Sequence, residues 1–286
     1  MSRRGFTLVE ILTVLAIIGV LTGLLVPAVQ RAREVANRAR CGNNLRQIVL
    51  ACHTHEDATG ALPGGGLGWM YPPDFAAPGV PLVGSGQRAG WAFQVLPFLE
   101  QDNAWRQAGA PTVADCQRQA IGHFVPLYFC PTRGRPRSFT MNAYYGPPGV
   151  YPHAQTDYAA GGGTDWGAND GAAVPVTGRQ LASFSDGTSN TLYIGEKFLA
   201  RAAGPQPDDN EGYTVGWDVD TIRFAGQAFP PASVPDGTSR FRFGGPHPGG
   251  VVMAMADGSV RLVPFGVVPA VWQALSTVAG GEPETP

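Results

Sequence analysis

The chain has 286 residues, with 39 glycines, 26 prolines and a formal net charge of −2. Only 15% of the residues are charged, which excludes the broad basic surface typical of nucleic-acid-binding proteins. Glycine and proline together reach about twice their usual share, so the folded part is expected to be rich in loops.

The first predicted element is an apolar helix that follows a short basic leader. Arg3 and Arg4 precede an uncharged run over residues 11–29. About 19 residues at 1.5 Å each can cross a hydrocarbon layer of roughly 30 Å. The run is longer than the apolar core of about 7–15 residues in a secretory signal peptide, and no small-x-small cleavage site follows it. The sequence therefore predicts a single-pass protein held in a membrane by its N-terminal segment.

The segment Gly5-Phe6-Thr7-Leu8-Val9-Glu10 resembles the processing signal of type IV prepilins and type II secretion pseudopilins. The resemblance implies that prepilin peptidase cuts between Gly5 and Phe6 and that the new N-terminal Phe6 is methylated. It also implies that Glu10 and Pro27 serve assembly, because both match the pilin pattern. The carboxylate of Glu10 would neutralise the amine of a neighbouring Phe6, since two charges desolvated together are tolerable where one alone is not.

Glu10 and Pro27 also have ordinary interpretations. Glu10 lies one turn from the start of the span, where a carboxylate can stay solvated among lipid headgroups. Pro27 removes one helix hydrogen bond and bends or loosens the helix, as prolines of transmembrane helices commonly do. Arginines flank the span on both sides, so the positive-inside rule leaves the orientation open. The resemblance implies an inner-membrane protein with a cytoplasmic N-terminus and an extracytoplasmic remainder, in the periplasm or at the cell surface.

Beyond the span the helix is predicted to continue to about residue 58. Small and apolar residues recur at spacings of three and four between Ala28 and Cys52, with arginines between them. Gly60 and Pro63 then supply a stop signal. We therefore expect four segments. These are a leader over residues 1–5, the transmembrane part of the helix over 6–29, its soluble part, packed on the head, over 30–58, and a globular head over 59–286.

Strand signals concentrate in the C-terminal half. Residues 191–195, 213–217 and 221–224 are β-prone runs bounded by glycine or aspartate. Asp257 and Gly258 separate two further β-prone runs, 251–256 and 259–263. Asp-Gly in that position predicts a hairpin with a type I′ turn, which needs positive φ at both central residues. The expected fold class is α+β and pilin-like, with a long N-terminal helix packed on an antiparallel sheet that carries loop-rich insertions.

Four cysteines fit an oxidising compartment. On a continuous helix Cys41 and Cys52 lie about 16 Å apart, too far for a disulfide. Three possibilities remain: the pairs Cys41–Cys130 and Cys52–Cys116, the crossed pairs, or free buried thiols. No C-x-x-C pair occurs, so the spacing does not indicate a zinc site.

A closer resemblance extends over nearly the whole chain. It rests on five segments in order: Cys41-Gly-Asn-Asn-Leu-Arg-Gln, Phe129-Cys130-Pro, Ser185-Asp186-Gly-Thr-Ser-Asn-Thr, Gly195-Glu196, and His247-Pro-Gly-Gly with the later Ala256-Asp-Gly-Ser-Val. These are similar to a large bacterial family of prepilin-like proteins whose principal domain has no assigned function. Members carry a C-terminal His-x9-Asp-Gly element, to which His247, Asp257 and Gly258 correspond. The family's usual cysteine pair corresponds to Cys41 and Cys130, so the resemblance favours that disulfide and leaves Cys52–Cys116 without support.

Two oxygen-rich loops are weak candidates for calcium. Asp165 and Asp170 in one loop, and Asp186 in the other, offer carboxylate oxygens at short spacing. Neither loop matches an EF-hand, and turns in which aspartate binds its own backbone are the simpler interpretation. No metal or other cofactor is therefore expected. His247 is expected to fix its loop by a hydrogen bond, with Asp257 as the candidate partner.

The sequence recommends no enzyme, because it has no G-x-S-x-G elbow, phosphate-binding loop or H-E-x-x-H helix. Two hypotheses remain. The first is a structural subunit that is processed by prepilin peptidase and anchored in membrane lipid. It would join other pilins or pseudopilins of a type IV pilus or type II secretion system. The second is a membrane-tethered module whose head binds a solute or glycan, for which six tryptophans and eight tyrosines supply contact residues. No nucleic-acid partner is expected.

Overall fold

A single helix, α1, forms the N-terminal part of the computed structural model, which describes residues 7–134, 137–142, 146–199, 206, 208–233 and 239–281. α1 spans Leu8–Thr59. Thr7 and Glu10 form a capping box at its start, and Gly60, with φ of 88°, ends it. These bounds lie within two residues of those predicted. The predicted leader, with Gly5, and the predicted cleavage site before Phe6 lie outside the described residues.

Burial divides α1 into an exposed part and a docked part. The buried positions Cys41, Leu45, Ile48, Cys52 and His55 recur every three or four residues and so share one face. Contact with the head begins at Glu34, whereas residues 30–33 at the start of the predicted soluble part are exposed. The physical reason lies in the side chains, because the small alanines on this face before residue 41 offer little apolar area to bury.

The head contains two hairpins, one five-stranded sheet and several short helices. In chain order its elements are β1 (Phe75–Ala77), β2 (Val80–Pro81), α2 (Trp91–Gln94), α3 (Asp102–Arg106), α4 (Val113–Gly122), β3 (Ser138–Asn142), β4 (Val150–Ala154), β5 (Tyr158–Gly161), β6 (Leu192–Glu196), β7 (Ile222–Arg223), β8 (Gly250–Met255), β9 (Val260–Pro264) and α5 (Pro269–Ala274). The main sheet has the order β7-β5-β6-β8-β9, and every pair except β5–β7 is antiparallel.

The main sheet is covered on both faces. Along β8 the residues alternate: Val252 and Ala254 belong to the core cluster under α1, while Val251 and Met253 belong to a second cluster around Trp272. This period of two is what a strand buried on both sides requires. α1 packs across β6, β8 and β9. The predicted α+β, pilin-like layout, with a long helix on an antiparallel sheet, is confirmed.

Two details of the predicted strands are wrong. Residues 213–217 form no strand, because Gly212 and Gly216 allow turns there and Gly216 donates to the carbonyl of Gly68 at 3.2 Å. The hairpin between β8 and β9 does form, but its turn is not type I′. Gly258 has φ of 81°, whereas Asp257 is not among the residues with positive φ. A type I turn followed by one left-handed glycine closes the hairpin instead.

Candidate functional site: the exposed helix and its junction with the head

The first part of α1 presents an apolar surface that the head does not cover. All fourteen leucine, isoleucine and valine side chains between Leu8 and Val29 are 46–75% exposed. In the described part of the chain, α1 is the one helix long and apolar enough to cross a membrane. Full burial is worth about 1.5–3 kcal/mol per side chain, so covering the exposed part of these fourteen is worth roughly 12–25 kcal/mol together. A surface of this kind requires lipid or other helices around it.

Glu10 caps its own helix in the single chain. Its Oε2 accepts the backbone N–H of Thr7 at 2.8 Å and the Thr7 hydroxyl at 2.7 Å. α1 continues through Pro27, which leaves the carbonyl of Gly23 without its usual helical donor. Both residues thus lie on the exposed apolar part of α1, where a neighbouring helix can reach them.

A disulfide joins α1 to the head. Cys41 on α1 and Cys130, in the turn after residue 129, are bonded with a Cα–Cα distance of 5.2 Å, and both are fully buried. This is the pair that the family resemblance implies. Its effect is to fix the angle at which the exposed helix leaves the head.

The bridge between Cys52 and Cys116 that the sequence leaves open does not form, because both residues are free buried thiols. The sulfur of Cys116 accepts the N–H of Gly79 at 3.4 Å. Cys52 lies beside the hydroxyl of Tyr193, and burial raises the pKa of the Cys52 thiol to about 12. Cys52 is therefore a packing residue with very little thiolate at neutral pH.

His247 connects α1, β6 and the disulfide. Its Nδ1 lies 2.5 Å from Oε1 of Glu34 on α1, and its Nε2 lies 3.2 Å from Oε1 of Glu196 at the end of β6. The same Nε2 is 3.4 Å from the sulfur of Cys130. Burial lowers the pKa of His247, but the hydrogen bonds with Glu196 and Glu34 outweigh it and leave the pKa above its ordinary value.

The two carboxylates that hold His247 are themselves fixed. Glu34 also accepts the hydroxyl of Thr132 at 3.0 Å, and Glu196 accepts the N–H of Val252 at 3.0 Å. The expected bond between His247 and Asp257 is absent, because Asp257 accepts the N–H of Ser259 at 2.8 Å inside the β8–β9 turn. The histidine of the His-x9-Asp-Gly pattern therefore locks the helix to the sheet, and the aspartate shapes the turn.

The ligand atoms of Cys41, Cys130, Glu196 and His247 all lie within 4.8 Å of one another. That composition resembles a zinc site, with the Glu34 carboxylate bonded to the far ring nitrogen of the histidine, as carboxylates often are behind zinc-binding histidines. Zinc requires thiolates, however, and both sulfurs here are joined in the disulfide. The cluster is therefore a structural lock in the oxidised chain.

A cavity of about 660 Å³ lies next to His247. Arg133, Arg137 and Asp209 line one side of it, and Phe265 contributes apolar surface. Arg137 is held by Asp157 at 2.6 Å and by Asp209 at 3.1 Å. The cavity thus has fixed charged groups and an apolar wall, the usual composition of a small-molecule site.

A second group of charges is buried at the opposite end of the same ion-pair network. Lys197 and Arg223 are fully buried and pair with Asp209 at 2.9 Å and with Asp208 at 3.3 Å. Nearby, carboxylate oxygens of three acidic residues approach within 4.8 Å of one another: Glu211, Asp218 and Asp220. Burial, reinforced by the charge of Asp218, raises the pKa of Glu211 to about 7.

The weak calcium candidates of the sequence are engaged in local turns. Asp165 accepts two backbone N–H groups at 2.9 Å within its own loop. Asp170 accepts the N–H and the hydroxyl of Thr164 at 2.8 and 2.7 Å. Asp186 accepts backbone N–H groups of residues 280 and 281 at 2.7 and 3.1 Å. None of the three belongs to a metal-like cluster of the described residues.

Sequence reasoning missed several residues of the junction. Glu34 is the one acidic side chain in the arginine-rich stretch 31–40, which was an available signal. Glu196 stands at the end of a predicted strand, where its charge had no evident partner. The acidic cluster could not be foreseen, because the β-prone pattern of residues 213–217 predicts a strand between its members.

Two family models match the chain. The model of the prokaryotic N-terminal methylation motif matches residues 1–26, which include most of the exposed part of α1. The model described as a protein of unknown function (DUF1559) matches residues 30–265, which cover the rest of α1 and most of the head. No curated protein and no solved structure matches the chain.

Proposed function

The chain belongs to the DUF1559 family and carries the prokaryotic N-terminal methylation motif, and we propose that it is a structural subunit that assembles with other pilins or pseudopilins through α1. The motif indicates a pilin- or pseudopilin-like protein that is processed as a prepilin, and the apolar helix anchors it in a membrane. In the proposed arrangement the N-terminus is cytoplasmic and the head is outside. The role is structural and requires no enzymatic activity.

The observation that carries this proposal is the uncovered apolar surface of α1 between Leu8 and Val29. Before assembly this surface lies in lipid, because the apolar stretch is long enough to span a membrane. After assembly the helices of neighbouring subunits replace the lipid. Because the disulfide and His247 hold α1 rigidly on the head, packing the helices also sets the spacing of the heads.

Glu10 has two roles in succession. In the single chain its carboxylate caps the helix through Thr7. Cleavage between Gly5 and Phe6 creates a charged amine at Phe6, which methylation leaves basic. In the assembly the carboxylate pairs with the Phe6 amine of a neighbouring subunit, where both charges are shielded from water and attract strongly.

Two variants separate the charge of Glu10 from its capping role. Glu10→Gln keeps the size and the capping hydrogen bonds but removes the charge, because glutamine also serves in a capping box. Thr7→Val keeps the charge but removes the cap, at a cost of about 1 kcal/mol. Each variant is produced in cells that contain prepilin peptidase. Processing is read by intact mass, and assembly by chemical cross-linking in isolated membranes.

We expect both variants to be processed. Cross-linked oligomers should fall about tenfold or more in Glu10→Gln and remain near the wild-type level in Thr7→Val. Arg31→Gln is the matched control, since it also removes one charge from α1 but at an exposed position outside the apolar stretch. Wild-type assembly by Glu10→Gln, or an equal loss in Thr7→Val, would refute the proposed charge pairing.

A second candidate function is capture of a small solute or glycan by the head. It rests on the cavity beside His247, whose volume of about 660 Å³ lies within the usual range of ligand sites. Thermal denaturation of the purified protein with a panel of small acidic solutes and oligosaccharides tests it. A concentration-dependent rise in Tm supports binding, and an unchanged Tm across the panel counts against it.

A further inference from the structure

Three carboxylates meet in the loop that leads into β7. Oxygens of Glu211, Asp218 and Asp220 all lie within 4.8 Å of one another. Asp220 is completely buried, whereas Glu211 and Asp218 keep partial contact with the surface. Like charges this close repel strongly where little water screens them, which favours a proton or a cation bound among them.

Asp220 has one carboxylate oxygen that accepts no hydrogen bond. Its Oδ2 accepts the N–H of Asn210 at 3.1 Å and the N–H of Gly212 at 2.9 Å, which fixes the carboxylate in place. Its Oδ1 is buried and has no hydrogen-bond partner. The side-chain oxygen of Asn210 is also buried without a partner, while its nitrogen donates to Glu211. Buried acceptors without a hydrogen-bond donor are costly, and they are the atoms that a hard cation binds.

The neighbouring cations are committed to other carboxylates. Lys197 forms its ion pair with Asp209 at 2.9 Å and uses a further proton on the backbone carbonyl of Asp220 at 2.8 Å. Arg223 forms its ion pair with Asp208 at 3.3 Å. Asp209 also pairs with Arg137 at 3.1 Å, so these cations are engaged by carboxylates outside the cluster. Among the described residues no ion pair joins a cation to Asp218 or Asp220.

We propose that Glu211, Asp218 and Asp220 form a binding site for calcium. The ligand atoms that these side chains offer are all oxygens. Hard cations prefer oxygen ligands, whereas soft transition metals do not. Calcium–oxygen distances of about 2.3–2.6 Å place opposite ligands roughly 4.6–5.2 Å apart, which accommodates the 4.8 Å span of the cluster. Water completes the coordination. The partly exposed Asp218 provides the path from solvent.

Bound calcium would tie the loop over residues 208–220 to β7 and to the ion pairs that border the cavity. Asp209 lines the cavity and pairs with Lys197. Lys197 in turn donates to the backbone carbonyl of Asp220, whose carboxylate is one of the proposed ligands. Calcium thereby stabilises the head from inside. This site is independent of assembly through α1, so either proposal can fail without the other.

The test uses the full-length protein in detergent, stripped of divalent ions with EGTA. Tm is measured by tryptophan fluorescence with added CaCl2 or MgCl2, and terbium(III) serves as a luminescent calcium substitute. Trp217 directly precedes Asp218 and is a nearby donor for terbium sensitisation. The variants are Asp220→Asn and Asp218→Asn. Asp165→Asn is the matched control, because it changes an aspartate of a local turn that asparagine also forms.

We expect calcium at 100-fold its Kd to raise the Tm of the wild type and of Asp165→Asn by roughly 5–11 °C. Magnesium should act more weakly. Asp220→Asn should lose the response, and Asp218→Asn should bind calcium at least tenfold more weakly. If Asp220→Asn does not fold, the partly exposed Asp218→Asn decides. The proposal is overturned if calcium leaves the wild-type Tm unchanged, if terbium stays dark, or if Asp218→Asn responds as the wild type does.

Discussion

Removing the disulfide between Cys41 and Cys130 should destabilise the head strongly. The bond joins residues that are 89 positions apart. For a loop of that length the chain-entropy model gives a stabilisation of about 4.6 kcal/mol at 25 °C. In domains of about 150–250 residues, each kcal/mol corresponds to roughly 2–4 °C in Tm. The double variant Cys41→Ala/Cys130→Ala should therefore melt roughly 9–18 °C below the wild type.

Differential scanning fluorimetry of the protein in detergent measures this shift. Wild-type protein unfolded and refolded in reductant should fall to the Tm of the double variant, and reductant should leave the double variant unchanged. Cys116→Ala is the control, since it removes a buried thiol that forms no disulfide. A double variant that melts within about 2 °C of the wild type would refute the reasoning that the bond staples the helix to the head.

Three further predictions follow from the junction and the sheet. The raised pKa of His247 stabilises the folded protein below about pH 6.5, and this stability is lost as the pH rises through that pKa. The free energy of unfolding should therefore decline over that range, and it should decline less steeply in Glu34→Gln. Urea titrations at a series of pH values measure both declines. Cys52 should resist iodoacetamide at pH 8 in the folded protein and react on unfolding, as mass spectrometry of labelled peptides will show. Gly195→Ala should cost about 1–3 kcal/mol in denaturant unfolding, because its Cβ would collide with the side chain of Met253.

The features that sequence predicted well are local. α1 is bounded by Thr7 and Gly60, whose capping chemistry acts over three or four residues. The β8–β9 hairpin follows from two β-prone runs around one Asp-Gly pair. Even there, the turn type could not be read from the pair, because Asp-Gly fits both a type I′ turn and a type I turn with a left-handed glycine.

The features that sequence missed depend on distant contacts. His247 and Glu34 are 213 residues apart, so no spacing rule could pair them. Residues 213–217 have β-prone side chains but are buried by packing on the loop around Gly68, which overrides their intrinsic preference. The exposed alanines of α1 had the right helical period, yet periodicity indicates which face is apolar and not whether a partner covers it.

The most direct test of the account is the N-terminus of the protein taken from native membranes. Intact mass and N-terminal sequencing of that material should find a chain that begins at Phe6, with a methyl group on its amine, and that resists extraction without detergent. A membrane pool that still retains residues 1–5, or a chain that is soluble without detergent, would contradict the claim that the trimmed apolar helix anchors and assembles this protein.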